Sequence, residues 1–118
     1  LNYQIIINKS FMNNINKRSE PFYPIHPGEI LKDEIEYRGI SQRKLASQLG
    51  ISHSLLNEIL NAKRQINTEF ALLMEAALNL DAEMLVNMQT RYNIQTARQD
   101  VDKQNRLNEI RKICASLF

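Results

Sequence analysis

The stretch SQRKLASQLGISHSLLNEILN, from Ser41 to Asn61, is polar overall, yet its apolar residues return at helical spacing. Leu45, Ala46 and Leu49 form one inward side ahead of Gly50, and Leu55, Leu56, Ile59 and Leu60 form another beyond it. Ser41 and Ser52 stand where side-chain oxygens cap the starts of two helices. Two short helices that meet at roughly 90–120° through a tight turn ask for these features. Ala46 is small where the helices cross closest, and Gly50 supplies a left-handed backbone without a Cβ penalty. Leu45, Leu49, Ile51, Leu56 and Ile59 are then the wedge between the two helices and the rest of a core.

The outer side of the second helix carries His53, Ser54, Asn57, Glu58 and Asn61, with Lys63 and Arg64 directly after it. Short polar side chains suit base edges, and the two cations suit phosphates. An ordinary helical hairpin with a wet outer face has the same apolar period. It does not account for Arg43 and Lys44 in a first helical turn, where the helix dipole disfavours cations. That placement makes sense if DNA phosphates approach that end. Charge is also unevenly spread. Residues 41–64 hold Arg43, Lys44, Lys63 and Arg64 against Glu58, whereas 65–90 hold Glu69, Glu75, Asp81 and Glu83 and no cation. A basic face and an acidic flank are expected.

Outward from this stretch the chain reads as further short helices. Pro27 suits a first helical turn, Ile30, Leu31 and Ile35 form a stripe, and Gly39 offers a left-handed stop. Thr68 or Asn67 opens a fourth helix through EFALLMEAALNL, and Asp81 a fifth through AEMLVNMQTRY. The expectation is an all-α, compact five-helix domain over residues 25–96, with an arm over 1–24 and a helical extension over 97–118. The arm begins with the β-prone YQIII and continues as an Asn-rich, Pro-closed linker. In the extension Leu107, Ile110, Cys114 and Leu117 follow a 3-4-3 spacing, a narrow seam that self-association would bury.

The 118 residues favour one domain, and 43% hydrophobic with 24% charged residues is ordinary for a globular protein. No apolar run approaches the ~20 residues that span a bilayer, and the three isoleucines near the start are too short a block for a signal peptide. A single cysteine, Cys114, excludes an internal disulfide framework; a cytoplasmic protein is expected. His26 and His53 lack partners at metal spacing, so no metal or other cofactor is expected. His26 reads as the residue that opens the first helix. Asp33, Glu34 and Glu36 are expected on the exposed side of that helix with no nucleophile beside them, which argues against an enzyme. Met74, Met84 and Met88 read as core, and Cys114 as a packed thiol.

Residues 26–92 resemble the lambda-repressor-like (XRE) helix-turn-helix family and, more narrowly, the HigA-type antitoxins of bacterial toxin–antitoxin modules. The resemblance rests on HPGEIL (His26–Leu31), RGISQRKLASQLGIS (Arg38–Ser52), LNEILNAKRQI (Leu56–Ile66) and NMQTRY (Asn87–Tyr92). The first and last of these are the more specific. The chain departs from the subfamily in having Leu85–Val86 where an aromatic residue is usual. The resemblance implies that Gln42 clamps a phosphate or adenine, that His53, Ser54 and Asn57 face the major groove, and that Asn61, Lys63 and Arg64 hold the backbone. It also implies double-stranded operator DNA and a small RelE-like, mRNA-cleaving toxin as partners, with a homodimer as the DNA-binding unit. A stand-alone XRE repressor without a toxin shares the same DNA-binding residues. A nucleic-acid-processing enzyme is the remote third reading.

Overall fold

The structure, a computed structural model, describes residues 24–118. The expected N-terminal strand and most of its linker lie outside the described residues. Six helices follow: α1 (Pro27–Tyr37), α2 (Gln42–Leu49), α3 (His53–Leu60), α4 (Thr68–Leu78), α5 (Ala82–Gln99) and α6 (Val101–Cys114), with a 3₁₀ turn at Ala115–Leu117. No strand occurs among the described residues.

Local chemistry sets each boundary. His26 caps α1 through Nδ1, which accepts the Gly28 amide hydrogen at 2.9 Å, and Pro27 occupies the first turn. The Ser41 and Ser52 hydroxyls cap α2 and α3 by accepting from the Lys44 and Leu55 amides. Asn67, rather than Thr68, caps α4, its Oδ1 accepting from Phe70 at 2.8 Å. Asp81 caps α5 and Asp100 caps α6. Gly39 and Gly50 take φ of 68° and 71°, the left-handed stops expected of them. Ala62 (φ 60°) and Asn79 (φ 57°) do the same work after α3 and α4. Asparagine tolerates that region; alanine does so at a cost.

The core joins all of the first five helices. Leu31 and Ile35 from α1, Leu45 and Ala46 from α2, Leu56, Ile59 and Leu60 from α3, Phe70, Met74 and Leu78 from α4, and Met84, Leu85 and Met88 from α5 are buried. Leu85 is fully buried and Val86 packs against the same cluster. Ala46 is 1% exposed, as the crossing requires.

One acidic residue of α1 departs from expectation. Asp33 and Glu36 are exposed, but Glu34 is buried. Its Oε1 accepts from Arg38 Nε at 2.6 Å, and Arg38 Nη2 donates to the Leu78 carbonyl at 2.7 Å. Three-residue separation from Leu31 puts Glu34 on the inward face; the i,i+4 arginine neutralises it and ties α1 to the end of α4.

Helix α5 runs to Gln99, and one residue, Asp100, separates it from α6. Nothing on α6 or the 3₁₀ turn after it is buried: Leu107, Ile110 and Leu117 of the seam are 42%, 38% and 74% exposed, and Cys114 is partly covered. No helix among the described residues is long and apolar enough to cross a membrane.

Candidate nucleic-acid interface

Helices α2 and α3 meet through the turn Gly50–Ser52. The Gly50 amide donates to the Ala46 and Ser47 carbonyls, and the Ile51 amide to Ala46 at 3.0 Å, so the turn closes on the α2 end. Close packing of α3 against α1 then fixes its direction. A Cβ on Gly28 would lie 1.8 Å from the Ile59 carbonyl oxygen, a contact that only glycine avoids.

That frame turns one side of α3 outward. Asn57 and Ser54 are exposed and His53 partly so. Gln42, the first residue of α2, lies opposite Asn57: Asn57 Nδ2 and Gln42 Oε1 are 3.5 Å apart across the turn. Fifteen residues of chain separate these two amides, and together they present donors and acceptors of the kind that match adenine N6 and N7. Arg43 and Lys44 stand exposed on the first turn of α2, and Ser52 is exposed at the start of α3.

At the far end of α3 the remaining sequence-predicted residues gather, with unequal freedom. Glu58 Oε2 accepts from Arg64 Nε at 2.9 Å, so these two of the predicted set pair with each other. Asn61 is used at both ends: its Nδ2 donates to the Asn57 carbonyl at 2.9 Å, and its Oδ1 accepts from Lys32 Nζ at 3.2 Å. Arg43, Lys44 and Lys63 have no carboxylate partner among the described residues.

The loop that carries Lys63 and Arg64 is held from behind by residues that sequence reading did not assign to the site. Gln89 of α5 accepts the buried Ile66 amide hydrogen at 2.9 Å and donates to Asn93 Oδ1 at 3.0 Å; Asn93 donates to Gln65 Oε1 at 3.1 Å. His26 is buried, packs edge-on against Tyr92 at 4.9 Å, and hydrogen-bonds the Arg64 main chain. Burial lowers the His26 pKa; the Arg64 hydrogen bond opposes that shift and does not overcome it. Lys32, too, was missed, because 29 positions separate it from Asn61. The signal for Gln89 and Tyr92 is the NMQTRY motif, which carries both; Asn93 follows directly after it and has no signal of its own.

Comparison with known proteins accords with this geometry. Residues 31–85 match the helix-turn-helix family model. The virulence-associated protein I of Dichelobacter nodosus is 42% identical over 77 residues, 64% of this chain and 71% of that protein. The structure of an addiction module antidote protein of the HigA family from Coxiella burnetii superposes with a TM-score of 0.64 at 33% identity, over 70% of this chain and 91% of the other. The Pseudomonas aeruginosa antitoxin HigA, solved with the higBA promoter, superposes with a TM-score of 0.63 at 35% identity, over 69% and 89%. Residues 31–85 hold both helices of the helix-turn-helix and the loop after them, and with these relatives the chain belongs to the HigA-type antitoxins of the XRE helix-turn-helix family.

Proposed function

We propose that this protein is a sequence-specific DNA-binding antitoxin that represses its own operon and neutralises a RelE-like, mRNA-cleaving toxin. The observation that carries the DNA reading is the exposed amide pair Gln42–Asn57, bridging the two helices and flanked by Arg43, Lys44 and Lys63. Asn57, Ser54 and His53 contact base edges; Gln42 clamps a phosphate or an adenine; Arg43, Lys44, Ser52, Lys63 and Arg64 contact backbone. Asn61 acts through Lys32, whose ammonium it positions, and Glu58 governs how much of the Arg64 charge reaches DNA. A relative solved with its promoter supports the same reading. The protein acts by binding and not by catalysis, and its place is the cytoplasm.

The operator-bound unit is a homodimer. The exposed seam of Leu107, Ile110 and Leu117 supports self-association through α6, because apolar residues at this spacing gain by being covered. The arm over residues 1–24 supplies the toxin contact. The test is co-expression with the product of the neighbouring gene. Co-elution, with protection of mRNA that the neighbour alone cleaves, supports the antitoxin; independent elution and no mRNA cleavage favour a stand-alone repressor.

A further inference from the structure

The exit of α3 is flanked by two clefts of opposite character. One, beside α1, is lined by Glu29, Asp33 and Glu36 with Lys32 as its one cation. The other lies between the exit loop, α5 and the start of α6, and no carboxylate lines it. Lys63 and Arg64 enter this second cleft from the loop, and Lys103 enters it from α6, some forty residues later. Asn93 and Thr96 of α5 form its polar floor. Lys103 Nζ has no carboxylate partner among the described residues; Asp100 beneath it caps α6 by accepting the Lys103 amide hydrogen at 3.1 Å. Arg64 uses Nε on Glu58 and keeps its terminal nitrogens for another acceptor.

We propose that this cleft seats a backbone phosphate of bound DNA, with Lys103 as a positioning cation outside the helix-turn-helix. The inference rests on the DNA-binding reading and extends it to the C-terminal helix. Three cations line this cleft with no carboxylate beside them in the lining, and only Arg64 has a carboxylate partner, Glu58, outside it, so the site suits a negatively charged occupant; Lys63 and Arg64 make it continuous with the DNA-facing end of α3. The bend at Asp100 then has a purpose: it brings the first turn of α6 to the backbone, while the seam one turn further on stays clear of it.

The test uses the intact chain, a duplex taken from upstream of its own coding sequence, and a scrambled duplex of equal length. Lys103→Gln is expected to weaken both duplexes by the same factor and to lower the slope of log affinity against log salt by about one unit. Lys103→Arg should restore the slope, and Lys112→Gln, at the far end of α6, should match the unaltered chain. If Lys103→Gln keeps the full slope while Lys63→Gln lowers it, the proposal is overturned and the DNA reading stands. Equal losses of slope for Lys103→Gln and Lys112→Gln would reduce the effect to general charge and also overturn it. If the intact chain binds neither duplex, the DNA reading and the proposal fall together.

Discussion

Gln89 Oε1 accepts the buried Ile66 amide hydrogen at 2.9 Å, so a side chain near the middle of α5 holds the main chain just beyond the two cations at the end of α3. Gln89→Ala leaves that donor buried and unpaired, a change that costs about 1–3 kcal/mol. The melting temperature should fall and DNA affinity with it. Asn93→Ala removes the exposed link to Gln65 and the part-buried bond from Gln89 Nε2, but leaves the Ile66 amide paired, and should cost less. Thermal melts of the two variants side by side check this ordering.

Two glycines of the site fail for different reasons. Gly28→Ala drives a methyl group against the Ile59 backbone, which must shift; overpacking of this sort costs about 1–3 kcal/mol. Gly50→Ala meets nothing within 4 Å and bears only the left-handed penalty, roughly 1–2 kcal/mol. A second substitution should separate them: Gly50→Asn recovers most of its loss, since asparagine accepts that backbone, whereas Gly28→Asn is worse than Gly28→Ala. Denaturant midpoints measure both.

His26 gives the fold a pH dependence whose sign is fixed. Burial lowers its pKa from the ordinary 6.5, so below that value the unfolded chain takes up a proton that the folded chain resists. Stability is full above pH 6.5, falls as the pH drops below it, and levels off below the folded pKa. Protonation at Nδ1 would also remove the acceptor for the Gly28 amide. His26→Asn keeps a capping side chain without a titrating ring. Its melting temperature should change less than that of the unaltered chain between pH ~7 and ~5.

Glu58 restrains Arg64, so Glu58→Gln should tighten binding to random DNA and lower the discrimination between operator and random duplexes. Fluorescence anisotropy on both duplexes reads this directly. Tighter operator binding with unchanged random binding would instead place Glu58 against a base.

Much of this was legible in the sequence because it is local. Ser41, Gly50, Ser52 and the period of Leu45, Ala46, Leu56 and Ile59 act within a few residues of themselves, and the helices follow from them. Glu34 is expected on the exposed side with Asp33 and Glu36 because a carboxylate reads as a surface residue, and no spacing rule shows that Arg38 neutralises it. The Gln89–Ile66, Lys32–Asn61 and Lys103–cleft relationships join residues 23 or more positions apart, and no spacing rule anticipates them. The left-handed φ of Ala62 is not legible either, because alanine, unlike glycine, carries no sign of it.

The central claim is that the Gln42–Asn57 face of α3 reads base sequence. The most direct measurement is the affinity of Asn57→Ala for operator and for scrambled duplex at one salt concentration, beside Lys63→Ala. The account predicts that Asn57→Ala loses roughly 1–3 kcal/mol on the operator and little on scrambled DNA, while Lys63→Ala weakens both alike. Equal losses on the two duplexes for Asn57→Ala would contradict it.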